Sequence, residues 1–111
     1  MRAGPLRHRV DFEEPVDLED DMGGVTSTWS RVATVWGSIE PLTGREFMAG
    51  QQILAEADVR IRVRWSPQLE ACTPAWRVLH GDTIFNIARV IHVRLGRQMI
   101  ELLCKTGTNE G

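Results

Sequence analysis

The feature that most constrains the fold is a strict alternation of apolar and charged residues from Asp58 to Trp65. Valine, isoleucine and tryptophan occupy every second position, and the positions between them carry Arg60, Arg62 and Arg64. Successive side chains of a β-strand point to opposite faces, so a period of two predicts a half-buried strand. One face of this strand should be apolar and the other basic.

Two further strands are predicted before this segment. Residues 6–12 alternate with the same period, and Pro15 is expected to end their strand. Residues 25–39 are rich in β-branched and aromatic side chains, and their phase slips between Trp29 and Val32. That slip predicts a bulge or two short strands.

The second half of the chain predicts two hairpins. Residues 76–80 and 83–93 flank Gly81-Asp82, a typical hairpin turn, and Gly96 marks a second turn that returns through residues 99–105. The total is about six antiparallel strands, which pack as a sandwich or close as a barrel. We favour the barrel because closure removes exposed strand edges.

One α-helix is predicted, over residues 43–57. Thr43 can cap its N-terminus, and Glu46, three residues on, can return the bond in a capping box. The face formed by Phe47 and Leu54 is only moderately apolar. We therefore expect the helix to lie against the domain surface or a neighbouring subunit.

Length predicts one domain, and the predicted elements make it mainly β with this single inserted helix. The chain has 111 residues, a common domain length, and should bury about 65% of its unfolded surface. We assign residues 1–107 to the domain and residues 108–111 to a flexible tail. The net charge of −2 argues against bulk attraction to nucleic acid or to an anionic membrane.

Twelve of the thirteen basic residues are arginines. Arginine suits interfaces because its planar fork binds carboxylates, although a GC-rich genome gives the same bias. The basic strand face leaves three possibilities open: ion pairs with acids on the next strand, a protein interface, or contact with a phosphate backbone. The four tryptophans are expected to be core and interface residues rather than a platform for stacking bases.

An acidic segment, residues 13–24, closes on a glycine pair and predicts a mobile loop. It is either a solvated loop or one that becomes ordered on a partner. It lacks the ligand order of a calcium-binding EF-hand. Its candidate residues for the channel or a partner are Glu13, Glu14, Asp17, Glu19, Asp20 and Asp21.

No catalytic, cofactor or metal site is predicted. Cys72 and Cys104 are isolated and are expected to be reduced, and the three histidines match no zinc pattern. No nucleophile–base pair or glycine-rich phosphate loop is present. No apolar run approaches the roughly 20 residues that cross a bilayer, and the N-terminus lacks the apolar region of a secretory signal.

Four blocks of the sequence together resemble one protein family. They are the opening MRAGPLRHRV, the block TWSRVATVWGSIEPLTGRE, the strand DVRIRVRW and the ending GDTIFNIARVIHVR…MIELLCKTG. Their order and spacing over residues 1–107 resemble the head–tail adaptor proteins of tailed bacteriophages, also called head-closure or stopper proteins. Prophages and phage-like gene-transfer particles encode such proteins too.

The resemblance implies a structural, non-enzymatic protein of the virion neck, assembled in the cytoplasm of a bacterial host. It implies a six- or twelve-fold homo-oligomeric ring between the portal or adaptor proteins and the tail terminator or tail proteins. Double-stranded DNA would pass through the ring. The six carboxylates of the acidic segment motivate the further hypothesis that this segment faces the channel, where it would repel phosphate. The candidate interface residues are Arg45, Glu46, Phe47, Arg60, Arg62 and Arg64. The alternative is a small barrel that binds nucleic acid.

Overall fold

The computed structural model describes residues 6–42, 57–94 and 98–107. These residues form a closed antiparallel barrel with the strand order β1-β2-β3-β6-β5-β4, in which β4 pairs again with β1. The prediction of a six-stranded antiparallel barrel is confirmed. The strands are β1 (His8–Glu19), β2 (Val25–Pro41), β3 (Val59–Arg64), β4 (Arg77–His80), β5 (Thr83–Val93) and β6 (Met99–Gly107).

The barrel interior is filled by the apolar positions of the alternating strands. Phe12, Ile61 and Leu102 have no solvent-exposed surface, and they come from β1, β3 and β6. The connection from β3 to β4 adds Leu69 and Trp76 to the same core. Burial of apolar surface, at roughly 25 cal/mol per Å², is therefore what holds the closed sheet together.

A β-bulge lies where β1 and β2 leave the barrel. Phe12 pairs with Ala33, but the next residue, Glu13, pairs with Arg31, so Val32 is an extra residue in β2. This is the position where the sequence pattern slipped, and the predicted bulge is confirmed. Bulges increase local twist and redirect a strand pair.

The prediction of a mobile loop over residues 13–24 is wrong. β1 continues through Pro15 to Glu19 and stays paired with β2 as far as Val25. Pro15 does not end the strand, because β1 pairs with β4 only from Asp11 to Glu13 and its second edge is open beyond that point. A proline on an edge strand is tolerated when its missing N–H would face away from the partner strand.

Asp20 builds the turn at the end of this hairpin. Its Oδ1 accepts hydrogen bonds from the backbone N–H groups of Met22, at 2.9 Å, and Gly24, at 2.7 Å. Gly23 adopts a φ of +82°, which suits glycine. We call residues 14–30 the hairpin arm. The molecule accordingly measures 55 Å along its long axis against 28 and 24 Å across it.

The predicted helix over residues 43–57 lies outside the described residues, apart from Ala57, which is buried and not helical. The described ranges contain no α-helix, only a short 3-10 helix at Pro67–Leu69. They likewise contain no helix long and apolar enough to cross a membrane. Residues 108–111 and the turn at Gly96 also lie outside the described residues.

Candidate interaction surfaces

The arginine face of β3 is largely satisfied within the barrel. Arg62 pairs with Glu101 of β6 in the strand register, and its Nε donates to Glu101 Oε2 at 2.7 Å. Arg60 Nε lies 3.7 Å from the same oxygen, and Arg60 NH1 lies 3.9 Å from Glu40 Oε1 on β2. Of the three possibilities left open by the sequence, local ion pairing is the one present for Arg60 and Arg62.

Arg64 differs from the other two arginines of β3. It is exposed, and with Arg9 it flanks the side chain of Trp36. The Arg9 guanidinium lies 4.9 Å from the Trp36 ring centroid, a cation–π distance. Neither Arg9 nor Arg64 forms an ion pair with a carboxylate of the described residues. Both charges are therefore available to an external acidic group.

These two arginines border a groove of about 330 Å³, which we call the basic groove. Its volume far exceeds the roughly 30 Å³ that one water occupies, so it can admit side chains. Trp36 is 51% exposed, a large apolar surface to leave in water. The groove is lined by Leu6, Arg9, Thr34, Val35, Trp36, Arg64, Trp65 and Ser66.

A hydrogen-bond chain fixes one wall of the basic groove. The Trp65 indole N–H donates to the Glu70 carboxylate, which also accepts from Arg94 NH2 at 2.9 Å. The Trp65 hydrogen bond, with smaller help from Arg94, holds the pKa of Glu70 below its usual range. Glu70 is therefore ionised at neutral pH, and it holds the Trp65 ring in one orientation.

Arg77 of β4 fastens the base of the hairpin arm to the barrel. Its Nε donates to Glu13 Oε1 at 2.8 Å, and its guanidinium lies 4.2 Å from the ring centroid of Trp29. Both side chains of the ion pair are mostly buried, at 14% and 16% exposure. Glu13, predicted to face a channel or partner, instead joins the arm to the barrel.

The other predicted acidic residues divide into two groups. Asp17 accepts a hydrogen bond from Ser27 Oγ at 2.9 Å, and Asp20 builds the turn, so both are used within the arm. Glu14, Glu19 and Asp21 form no ion pair with any described residue. Glu19 and Asp21 are exposed at the far end of the arm.

Large apolar side chains are also exposed at that end. Leu18 is 53% exposed, Val25 is 64% exposed and Met22 in the turn is 91% exposed. We call these three residues, with Glu19 and Asp21, the arm tip. The sequence contained a sign of the arm tip, since β-branched and long apolar residues flank the acidic turn. Because the segment was interpreted as a loop, it was not predicted that a hairpin brings these residues to one end.

Arg45, Glu46 and Phe47 lie outside the described residues, and their place in an interface stays a prediction. Among the candidate interface residues that are described, the structure brings Arg60 and Arg62 together on Glu101 and leaves Arg64 apart at the groove. Sequence reasoning missed Arg9 and Trp36 as a pair. They are opposite each other in the register of β1 and β2.

The described residues offer little reactive chemistry. Cys72 and Cys104 are free and buried, and burial raises the pKa of Cys72 to about 12 and also raises that of Cys104. His8 and His80 pack edge to face with ring centroids 5.0 Å apart. No group of three or more potential metal ligands occurs in the described ranges.

Comparison with known proteins gives the class first: a component of the bacteriophage particle. A family model described as phage head completion protein matches residues 1–107. The chain belongs to the phage head completion protein family, which confirms the resemblance seen in the sequence. Head completion protein gp7 of Enterobacteria phage HK97 is 26% identical over 113 residues, covering 99% of this chain and all of that protein.

Two solved structures share the fold. The solution structure of protein SF1141 from Shigella flexneri 2a matches with a TM-score of 0.82 at 23% identity, covering 99% of this chain and all of that one. A chain from the virion of a native gene transfer agent particle matches with a TM-score of 0.60 at 21% identity, covering 95% of this chain and 98% of that one. The barrel fold is thus also found in other proteins.

Proposed function

We propose that this protein joins a DNA-filled phage head to a tail by forming a ring of identical copies beneath the portal. The ring continues the DNA channel and presents a surface on which the tail attaches. Its contacts on the head side are portal or adaptor proteins, and on the tail side the tail terminator or other tail proteins. The protein acts through geometry and contact, without catalysing a reaction.

The family match over residues 1–107 is the observation that carries this proposal. The similarity to gp7, named a head completion protein, and to a chain of a gene transfer agent virion supports the same role. The surface agrees with it. Arg60 and Arg62 of β3 form ion pairs with acids on neighbouring strands, while apolar and charged groups are left exposed on the arm tip and in the basic groove.

The nucleic-acid-binding alternative loses two of the three arginines of the basic strand face on which it depended. Arg60 and Arg62, the arginines that a phosphate backbone would need, already contact Glu40 and Glu101. The net charge of −2 adds a repulsive background. Passage of DNA through a channel requires little adhesion, so weak affinity for DNA agrees with the proposed role.

The test is to delete the gene and examine the particles by electron microscopy. We expect DNA-filled heads without tails, which leak DNA, beside free tails. Copies of the gene supplied in trans should restore tailed particles, and their necks should show a ring whose subunits can be counted against the expected six or twelve. Normal tailed, infectious particles from the deletion strain would overturn the proposal.

A further inference from the structure

We propose that the arm tip of one copy docks in the basic groove of the next copy. The hairpin arm is then the link that passes from subunit to subunit. This inference rests on the proposed function only because it takes a ring of identical copies as the assembly. The partner it names is a second copy of this chain, and the contact is heterologous, with different surfaces on the two sides.

The first support is apolar complementarity. Leu18, Met22 and Val25 present apolar side chains at the arm tip, and Met22 is almost fully exposed at 91%. The groove offers the exposed Trp36 ring together with Trp65 as apolar walls. A flexible thioether packs well against aromatic rings. Val25 pairs with Glu19 and shares its face, whereas Leu18 pairs with Thr26 on the other face. Docking of the Val25 face would remove Met22, Val25 and the Trp36 ring from water.

The second support is charge complementarity. Residues 13–21 hold six of the fifteen acidic residues, and all thirteen basic residues lie elsewhere in the chain. The arm tip contributes Glu19 and Asp21, while the groove contributes Arg9 and Arg64. Because none of these four forms an ion pair with a described residue, docking would give each of them an opposite charge. Complementary potentials of this kind set the partner and register of an interface.

The third support is the geometry of the arm. Its two strands stay paired from Glu13↔Arg31 to Glu19↔Val25, so the arm is a continuous ladder. At about 3.4 Å per residue it reaches roughly 20 Å beyond the barrel. That length is comparable with the 24 and 28 Å widths of the molecule, so the tip can cross a neighbouring barrel. Repeated heterologous contacts close into a ring when the rotation between copies allows it.

This placement replaces the channel-facing position that composition alone suggested for the acidic segment. Three of its six carboxylates are already used, since Arg77 holds Glu13, Ser27 donates to Asp17, and Asp20 builds the turn. Repulsion of DNA requires only negative charge, so it would not account for the exposed apolar side chains of Leu18, Met22 and Val25. The apolar residues favour a protein partner.

A charge swap tests the inference, with variants supplied to the deletion strain. Arg64→Glu alone and Asp21→Arg alone should each lower the yield of tailed particles, since a reversed charge pair weakens one subunit contact by ~10-fold or more. Combining the two substitutions exchanges one charge on each surface and should restore the yield. Arg62→Glu is unsuitable, because it would set two carboxylates against each other within the barrel at Glu101.

Matched controls separate charge from folding. Arg89→Glu and Lys105→Glu reverse exposed charges on β5 and β6, outside the arm tip and the groove lining, and should leave the yield unchanged. Circular dichroism should show every variant folded. Single reversals with a normal yield would overturn the inference, and so would a double variant that is folded yet no better than the single reversals.

Cross-linking gives an independent readout. In assembled particles, Asp21→Cys with Arg64→Cys should be joined by a short bis-maleimide into multiples of the 12.5 kDa subunit, whereas either substitution alone should not. The buried native thiols should not contribute. Tailed particles without cross-links would contradict docking and leave the proposed function intact. If the deletion strain made normal particles, the proposed function itself would fail.

Discussion

The barrel and the hairpin arm are built from the same two strands, yet they are stabilised in different ways. Along β1, Val10 and Phe12 are fully buried, and Leu18, on the same face a few residues later, is 53% exposed. The sequence alternates in both regions, but only the barrel closes around its apolar face. Alternation therefore predicts a strand, and burial depends on how many other strands surround it.

An isolated two-stranded hairpin is marginally stable in water, so the arm needs support beyond its own ladder. It receives that support at its base from Arg77 and at its turn from Asp20. Between these points its side chains are mostly exposed. The barrel supplies stability, and the arm supplies an exposed contact surface. Removing the same side chain should therefore lower the free energy of unfolding in the barrel and leave it nearly unchanged in the arm.

The largest contrast is expected from removing the same side chain in each region. Leu102→Ala opens a cavity in the fully buried core and should lower the free energy of unfolding by about 2–5 kcal/mol. Leu18→Ala, at an exposed site, should change it by less than about 0.5 kcal/mol. Denaturant unfolding followed by tryptophan fluorescence measures both. Equal losses would show that the arm packs on the barrel more closely than described.

A smaller effect is expected where the two regions meet. Arg77→Lys keeps the charge but loses the planar group that bonds Glu13 and stacks on Trp29, so it should cost about 1–2 kcal/mol. Amide hydrogen exchange should become faster in the arm and not in β5 or β6. Arg31→Lys is the control, because Arg31 is exposed and lies 3.8 Å from Asp11. If amide exchange in the arm of Arg77→Lys stayed as slow as in the unchanged protein, the β1–β2 ladder alone would be sufficient to hold the arm in place.

The smallest effect near neutral pH concerns the cysteines. Burial raises the folded-state pKa of Cys72 from 9.0 to about 12, so its contribution to stability is complete below pH 9 and is lost as the pH rises toward 12. A thiol reagent at pH 8 should leave both native cysteines unmodified, while a cysteine at the exposed position of Met22 in Met22→Cys reacts at once. Rapid labelling of native Cys72 would contradict the described core.

The barrel could be predicted from the sequence because its signals are local. Alternation in β3, the Gly81-Asp82 turn and the phase slip before Val32 each specify structure within a few residues. The arm could not be predicted from the sequence, because a proline and six carboxylates within a few residues are typical of loops. What decides its structure is that β1 has an open edge beyond Glu13, a property of the assembled sheet.

The interaction surfaces were predictable only in part, for the same reason. The spacing of Arg60, Arg62 and Arg64 showed that they share a face, but whether each forms an ion pair depends on which residues lie opposite. Glu101 stands across from Arg62 and draws in Arg60, whereas Arg64 ends the strand beside Trp65. Arg9 and Trp36 are 27 positions apart, and only the pairing of β1 with β2 makes them neighbours.

The bulge at Val32 decides which way the arm presents its side chains. With it, Arg31 and Trp29 share a face with Glu13 and Pro15. If Val32 instead paired with Glu13 in a regular ladder, every residue of β2 from Arg31 to the turn would change sides, and Trp29 would no longer meet Arg77. The bulge thus absorbs one odd amino acid so that the projection keeps its orientation, and a chain lacking Val32 would pair its remaining residues in the same register.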